Sequence, residues 1–397
     1  MVSRLDAPQP VFAFPPLDSI PDGPEDNPVE GKAPSEVGAL QLPELIFGAA
    51  PLNSSYNKEE YLESDVPLRT VRLALRYGIK AFDTSAYYGP SEIVLGTVLK
   101  SLEAEFPRLS YKIMTKCGRY GPWDFDYSPA TIRASVMRSL ERLNTPYLDV
   151  VFLHDLEFVA TPVPPPTAAE GSSGRHALAL TEKVAEYGLE PGSEGKVWGE
   201  GDQKVLDAIA EMRKMQDEGL IKNVGIAGYP LPTLLRIALL VLHKTGKPLD
   251  ALLSYSHLNL QNQSLLAFAP ALTERAKISQ LVAASPLNMG LLTGNTPTWH
   301  PAPQALKAAR DKAIQISSEN GSTLPDVALG YAYRLANENG WPMIAGLSTP
   351  DEVHASVKAW RAAKEGGQVN EALEKEVRRI FDEAGYAEWS WSSPDKA

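Results

Sequence analysis

The chain has 397 residues, with 38 lysines and arginines against 49 aspartates and glutamates, a formal net charge of −11 and 44% hydrophobic residues. This composition is typical of a globular protein with a large core, and the acidic balance disfavours a nucleic-acid partner, because binding a polyphosphate needs a basic surface. No apolar run is long enough to span a membrane and no secretory signal is visible, so we expect no membrane partner. The single cysteine, Cys117, fits a reducing compartment, and we expect a cytoplasmic protein.

Residues 1–43 form an extension rich in proline and glycine with little periodicity. Such a segment cannot bury a core of its own, and we predict that it is disordered. From Leu45 to about Ala363, short apolar runs alternate with helical patterns. The first run is LIFG, and the helix PLRTVRLALRYG follows, with proline at its start and glycine at its end, as helix boundaries favour.

Eight such pairs of strand and helix follow one another along residues 44–365. Apolar strands flanked by helices are typical of a parallel sheet, and eight units predict a closed (β/α)₈ TIM barrel. A doubly wound open sheet is the alternative, but no G-x-G-x-x-G turn follows the first strand. The strands are predicted at 45–48, 80–83, 111–116, 147–154, 222–228, 251–256, 280–287 and 341–347.

Two long insertions interrupt the repeat. Residues 157–201, after the fourth strand, are rich in proline, glycine, serine and glutamate. We expect one short helix near 180–187 and disorder elsewhere, unless the insertion shields the site. A second insertion at 288–321 contains a predicted helix at 304–319, and residues 366–397 add a C-terminal helix and tail.

Three successive predicted strands each end on a polar, titratable residue. Asp83 ends the second strand, Lys116 the third and His154 the fourth, while Tyr88 lies in the loop after Asp83. The C-terminal ends of parallel barrel strands form the catalytic mouth, so we expect these four side chains to meet there. The alternative for any one of them is a solvated residue on the rim of the barrel.

An acid, a phenol, an amine and an imidazole together make a proton-transfer centre without a nucleophile. An ammonium favours the phenolate form of a tyrosine, the acid holds the ammonium by an ion pair, and the imidazole donates to a substrate oxygen. This group suits a reaction in which a hydroxyl loses its proton while its carbon loses a hydride. The histidines lack a paired metal-ligand spacing and no G-x-S-x-G motif is present, so we expect neither a metal site nor a serine hydrolase.

With these four residues and the segments LIFGAAPLN, TKCGRYG and AASPLNMGLLTG, the chain resembles the sugar-dehydrogenase branch of the aldo-keto reductase superfamily. The resemblance implies an NAD(P)-dependent barrel that oxidises the anomeric carbon of an aldose, D-arabinose or L-galactose, to the aldonolactone. It also implies a catalytic tetrad of Asp83, Tyr88, Lys116 and His154. Two alternatives remain open: an NADPH-dependent reductase of aldehydes such as pyridoxal, and a regulatory barrel that binds a dinucleotide with little turnover.

The resemblance further implies where the cofactor lies. Relatives that prefer NADP carry a lysine and an arginine where this chain has Gly346 and Glu352, so we predict NAD as the cofactor, with NADP less favoured. Glu352 could instead merely complete a capping box with Thr349. The nicotinamide-stacking tyrosine and the carboxamide-binding asparagine of relatives are replaced by Ala284 and Gly228. Cofactor contacts are expected from Ser254, Ser285, Leu287, Gly290, Gly346, Ser348 and Glu352.

The predicted partner is a small-molecule sugar, held by loops at the mouth. The loop after the third strand carries Trp123, Phe125 and Tyr127 among polar neighbours, a mixture that suits a sugar, although these rings could equally pack on the barrel rim. After the sixth strand, His257 and Asn259 are expected to bind sugar hydroxyls. The sequence leaves the oligomeric state open.

Overall fold

The computed structural model describes residues 11–20, 22–54, 56–163, 174–365 and 370–393. Short 3₁₀ segments and one π-helical turn join its longer elements. The strands are β1 (Glu36–Val37), β2 (Leu42–Pro43), β3 (Leu45–Gly48), β4 (Ala81–Asp83), β5 (Lys112–Cys117), β6 (Leu148–His154), β7 (Gly174–Arg175), β8 (Ile221–Gly228), β9 (Ala251–Tyr255), β10 (Gln280–Ala284), β11 (Met343–Gly346) and β12 (Trp389–Ser390). The helices are α1 (Glu59–Leu62), α2 (Val66–Arg76), α3 (Ser91–Ser101), α4 (Pro129–Arg142), α5 (Glu200–Asp217), α6 (Leu231–Thr245), α7 (Leu265–Pro270), α8 (Gln304–Glu319), α9 (Leu324–Asn339), α10 (Pro350–Lys364) and α11 (Glu371–Glu383).

Eight of these strands form a closed barrel in the order β10, β11, β3, β4, β5, β6, β8, β9. The neighbouring pairs β3 with β4, β4 with β5, β5 with β6 and β9 with β10 are all parallel. The predicted (β/α)₈ barrel is therefore confirmed. Strands β4 and β6 are buried along their whole length, because helices cover one face of a barrel strand and side chains fill the interior behind the other.

The ends of the helices follow the local sequence in most places. Helix α2 has proline in its first turn and is followed by Gly78 at φ +87°, a backbone region that favours glycine. The predicted helix at 304–319 coincides with α8. Helix α3 begins at Ser91, whose hydroxyl donates to the Ala49 carbonyl at 2.7 Å and does not cap the helix.

The chain divides into two compact units. The first comprises Met1–His154, Lys204–Ile226 and Ile344–Lys358, and the second comprises Asp155–Gln203, Ala227–Met343 and Ala359–Ala397. Both have apolar cores with aromatic contacts, such as the Phe47 and Phe82 rings at 5.5 Å in the first unit and the stacked Tyr229 and Trp391 rings at 4.3 Å in the second.

The described part of the extension, within 11–43, differs from the predicted disorder. Arg69 of α2 pairs with Asp26 at 2.7 Å, and Arg76 of the same helix pairs with Asp22 at 2.7 Å. Ion pairs between acidic residues of the extension and arginines of α2 therefore hold this segment against the barrel helix, although the segment has no core of its own. The first ten residues lie outside the described part of the chain.

The insertion at 157–201 is described except for 164–173. In place of the single helix expected near 180–187, it has 3₁₀ turns at His176–Leu180 and Ala185–Tyr187. Strand β7 of this insertion pairs antiparallel with β12 of the C-terminal tail. The predicted C-terminal helix is present as α11.

Candidate active site

A buried ion pair joins the ends of β4 and β5. Lys116 Nζ donates to Asp83 Oδ2 at 2.6 Å and to the Thr84 carbonyl at 3.0 Å. Both side chains are almost fully buried, and desolvation raises the pKa of Asp83 while the Lys116 ammonium opposes that rise. Because burying two charges costs about as much free energy as their attraction returns, stability alone does not explain such a pair.

A tight turn between β4 and α3 presents Tyr88. The Tyr88 N–H donates to the Ser85 carbonyl at 3.0 Å, and Gly89 follows at φ +57°. The centre of the Tyr88 ring lies 4.8 Å from Lys116 Nζ and 5.5 Å from the centre of the His154 ring, with the two rings at 86°. The first compact unit thus brings together the acid, the amine, the phenol and the imidazole that the sequence predicts to meet.

His154, the last residue of β6, is 4% exposed. Its Nδ1 lies 2.9 Å from the hydroxyl of Ser85. Burial, followed by the positive charges of Lys116 and Arg119, holds the pKa of His154 well below its usual value. The imidazole is therefore neutral at neutral pH, with one nitrogen as hydrogen-bond donor and the other as acceptor.

Tyr127 links the loop between β5 and α4 to the end of β6 by a hydrogen bond. This side chain is buried, and its hydroxyl donates to the His154 carbonyl at 2.7 Å. Gly118 has φ +98°, and a Cβ there would lie 2.4 Å from the Tyr127 ring. The sequence left open whether Tyr127 contacts the sugar or packs on the barrel rim. Its hydroxyl is engaged with the backbone, so Tyr127 positions the loop.

The same loop places a cation beside the site. The guanidinium of Arg119 lies 4.0 Å from the Tyr87 ring centre and 5.2 Å from that of Phe125. Phe125 therefore packs against Arg119, which is the alternative that the sequence left open for the loop aromatics. Trp123 is 65% exposed, so its indole remains accessible for a ligand.

Three of the predicted cofactor residues lie between the end of β11 and the first turn of α10. Gly346 ends β11 and is exposed, and the Glu352 carboxylate accepts hydrogen bonds from the N–H and hydroxyl of Ser348 at 2.6 and 2.8 Å. The Glu352 N–H donates to Thr349 Oγ1 at 3.3 Å, so half of the predicted capping box is formed. The Ser348 carbonyl is held in turn by the Tyr61 hydroxyl at 2.5 Å.

In the second compact unit, the turn after β10 carries Ser285, Leu287 and Gly290. Gly290 has φ +88°, and its N–H donates to the Leu287 carbonyl at 3.1 Å. The N–H groups of Ser285 and Leu287 have no acceptor among the described residues. Two of the three predicted backbone donors are thus left for an anionic ligand, and the third is used within the turn.

Two predicted contacts in this unit need correction. His257 is fully buried, with Nδ1 3.0 Å from the Ser254 hydroxyl and Nε2 3.2 Å from the Ser390 hydroxyl. Both ring nitrogens are engaged within the protein, so His257 is not a partner for sugar hydroxyls, and Ser254 supports it. The side-chain oxygen of Asn259 accepts from the backbone N–H groups of Gln261 and Asn262 at 2.9 and 3.1 Å. Its side-chain nitrogen Nδ2 is left as a donor among the described residues.

The structure explains why β8 ends on a glycine, Gly228. A Cβ at Gly228 would lie 2.5 Å from Glu157 Oε2. The other carboxyl oxygen of Glu157 accepts from the Tyr229 N–H at 3.1 Å and the Ser393 hydroxyl at 2.9 Å. The space that a side chain at position 228 would occupy is therefore filled by a buried carboxyl group.

Sequence reasoning missed Ser85, Tyr87 and Arg119, which lie near His154 in addition to the tetrad. Ser85 and Tyr87 lie inside the DTSAYYG motif, and their place between Asp83 and Tyr88 was a usable signal. Nothing in the sequence pattern singles out Arg119. Among the described residues, no group of histidine, cysteine and acidic side chains could hold a metal ion, and no helix is long and apolar enough to cross a membrane.

At the strand ends of this barrel, a buried acid, amine and neutral imidazole lie beside a partly exposed phenol, a set of side chains typical of an enzyme that transfers protons. Residues 44–375 match the model of the Aldo/keto reductase family. The chain belongs to this family of oxidoreductases, whose members bind a nicotinamide dinucleotide.

Two curated relatives span almost the whole chain. It is 34% identical to D-arabinose 1-dehydrogenase of Saccharomyces cerevisiae over 359 residues, covering 88% of this chain and 94% of the relative. It is 33% identical to L-galactose dehydrogenase of Arabidopsis thaliana over 354 residues, with the same two coverages.

Solved structures agree with the fold. An aldo-keto reductase from Bacillus halodurans in its holo form has a TM-score of 0.55 at 21% identity, covering 88% of this chain and 96% of the other. A glycerol dehydrogenase from Gluconobacter oxydans has a TM-score of 0.55 at 19% identity, with coverages of 91% and 97%.

Proposed function

We propose that this enzyme is an NAD-dependent aldose 1-dehydrogenase, which oxidises the anomeric carbon of D-arabinose or L-galactose to the aldonolactone. The observation that carries the proposal is the arrangement of Tyr88 beside Lys116 and His154, with Asp83 bound to the lysine. The names of the two relatives of 34% and 33% identity support a sugar as the substrate.

Each residue of the tetrad has a separate task in this reaction. The Tyr88 phenolate takes the proton of the anomeric hydroxyl, the C1–H electron pair leaves as hydride, and the C1–O bond becomes the lactone carbonyl. A bound nicotinamide dinucleotide supplies the hydride acceptor. The nearby Lys116 ammonium favours the phenolate, and Asp83 holds that ammonium in place by its 2.6 Å hydrogen bond. His154, neutral and next to the phenol, donates to the substrate oxygen and aims it.

Backbone donors of this chain fit the proposed cofactor. In the second unit, the N–H groups of Ser285 and Leu287 have no acceptor among the described residues, and such groups bind the oxygen atoms of a pyrophosphate. The choice between the ribose hydroxyl of NAD and the additional phosphate of NADP depends on Glu352, in the first unit. Its carboxylate already receives the N–H and hydroxyl of Ser348 at the start of α10, so a second anion at that position would be repelled.

NAD is therefore the preferred cofactor in this proposal. A ribose hydroxyl can donate to a carboxylate, whereas the additional phosphate of NADP adds negative charge beside Glu352. We expect Glu352→Gln to lower the ratio of kcat/KM with NAD to that with NADP by about fivefold, as for an exposed charge pair. Asp351→Asn is the matched control, because it removes a neighbouring exposed carboxylate from the same helix turn and should leave the ratio unchanged.

The direct test is the absorbance of reduced nicotinamide, followed with purified protein, D-arabinose or L-galactose, and NAD or NADP in parallel. We expect reduction of NAD by at least one of the two sugars and much slower reduction of NADP. Activity with NADPH and aldehydes alone would overturn the substrate and cofactor assignment. Cofactor binding without turnover of any sugar or aldehyde would instead indicate a regulatory barrel.

A further inference from the structure

The hydroxyl of Ser85 forms a hydrogen bond with His154, and it has no part in the reaction proposed above. Ser85 lies between Asp83 and Tyr88 in the turn after β4, and its side chain is fully buried. Its Oγ lies 2.9 Å from His154 Nδ1 and accepts a hydrogen bond from the Tyr87 N–H at 3.1 Å. These are the hydrogen bonds of the Ser85 hydroxyl among the described residues.

The direction of the hydrogen bond between Ser85 and His154 follows from counting protons. A serine hydroxyl has one proton to donate, and the Tyr87 N–H occupies one of its acceptor positions. If His154 Nδ1 carried the imidazole proton, Ser85 Oγ would accept twice and its own proton would have no acceptor among the described residues. A buried donor without a partner is unfavourable, so the Ser85 hydroxyl donates to Nδ1.

We propose that Ser85 is a positioning residue that fixes the tautomer of His154, with the imidazole proton on Nε2. This inference rests on the proposed function for its catalytic meaning. An Nε2–H group donates to the anomeric oxygen, whereas a bare Nε2 would accept from the anomeric hydroxyl and compete with Tyr88 for its proton. The tautomer thus directs that proton toward the phenolate.

The second hydrogen bond of Ser85 links the same hydroxyl to the turn that presents the phenol. The Tyr87 N–H donates to Ser85 Oγ, and the Tyr88 N–H donates to the Ser85 carbonyl at 3.0 Å. One residue therefore holds the imidazole and the backbone on either side of Tyr87. Loss of the hydroxyl is expected to disturb the orientation of His154 relative to Tyr88, while the cofactor contacts of the proposal stay in place.

The test is a ¹⁵N NMR spectrum of the full-length protein labelled at histidine, recorded at neutral pH without substrate. The His154 signals are identified by their absence from a His154→Gln variant. We expect an unprotonated Nδ1 and a protonated Nε2 in the wild type. A protonated Nδ1 would overturn the inference, and this wild-type spectrum decides even if a variant fails to fold.

Three variants add the functional readout. Ser85→Ala should give a mixture of His154 tautomers and lower kcat for the sugar by about tenfold, the effect of one hydrogen bond, while KM for NAD is unchanged. Ser85→Thr keeps the hydroxyl and should restore the Nε2–H tautomer and most of kcat. Ser317→Ala is the matched control, since it removes a fully buried hydroxyl whose hydrogen bond among the described residues stays within α8, to the Ala313 carbonyl.

The two hypotheses fail in different ways. If the wild-type enzyme oxidises no sugar but shows the Nε2–H tautomer that Ser85→Ala disturbs, the proposed function is wrong and the role of Ser85 stands. If sugars are oxidised and Ser85→Ala changes neither the tautomer nor kcat, the role of Ser85 is wrong and the proposed function stands.

Discussion

At the scale of single residues, the proposed chemistry depends on one phenol beside a buried ion pair. Tyr88→Phe removes the oxygen that receives the proton in the proposed reaction and leaves the Asp83–Lys116 pair intact. We expect kcat for sugar oxidation to fall by about 10² to 10⁴-fold, the usual contribution of a general acid or base. Cofactor affinity, measured by quenching of protein fluorescence, should stay within a factor of about two, because the phenol is not among the proposed cofactor contacts.

The neighbouring tyrosine provides the control for this change. Tyr87→Phe removes a hydroxyl that lies 3.3 Å from Arg119 Nη2 and has no part in the proposed proton transfer. It should lower kcat by less than about tenfold, because the hydroxyl makes one long hydrogen bond, of about 1 kcal/mol, outside the proposed proton transfer. Equal losses in the Tyr88 and Tyr87 variants would contradict the assignment of Tyr88 as the proton acceptor.

The residues of the candidate site also show how much of it can be predicted from the sequence. Asp83 and His154 end their strands and Lys116 is the last residue but one of β5, so the direction of a parallel barrel places them together before any contact is known. The order of hydrogen bonds around Ser85 depends on the exact turn of the backbone, which no residue pattern encodes. His257 shows the opposite error: a histidine after a strand suggested a ligand contact, but Ser254 and Ser390 occupy both of its nitrogens.

At the scale of elements, the alternation of strands and helices was predictable because it depends on local periodicity and on proline and glycine at helix ends. The contacts of loops were not, because they join residues far apart in the chain. Tyr127 is an example: the sequence left a sugar contact and packing on the barrel rim equally open, and the structure shows that its hydroxyl donates to the carbonyl of His154 at 2.7 Å.

Tyr127→Phe should therefore remove the hydrogen bond that links this loop to β6. We expect the free energy of unfolding to fall by about 1 kcal/mol and kcat/KM for the sugar to fall by about fivefold, since the variant loses one buried hydrogen bond to the backbone of His154. Urea unfolding and steady-state kinetics measure the two effects. Tyr120→Phe is the control, because Tyr120 accepts from the Gly118 N–H at 3.1 Å within the same loop. Equal losses of activity in both variants would attribute the effect to the loop as a whole.

At the scale of the whole molecule, stability as a function of pH combines buried groups from both compact units. Burial holds the pKa of His154 and His257 well below 6.5, and that of His300 at about 4. The unfolded chain binds more protons than the folded one between those pKa values and 6.5, so these histidines make stability rise with pH in that range. Glu157 acts in the opposite direction.

Burial, followed by the negative charge of Asp155, raises the pKa of Glu157 from 4.5 to about 8. Between these values the folded protein retains a proton that the unfolded chain has lost, so the contribution of Glu157 to stability falls as pH rises toward 8. Glu157→Gln keeps an oxygen for Ser393 and the Tyr229 N–H without a charge. We expect the unfolding free energy of the variant, relative to wild type, to increase steadily from pH 5 to pH 8 in urea titrations. The histidines are the same in both proteins and cancel in this difference, so a difference that does not change with pH would show that Glu157 is ionised throughout.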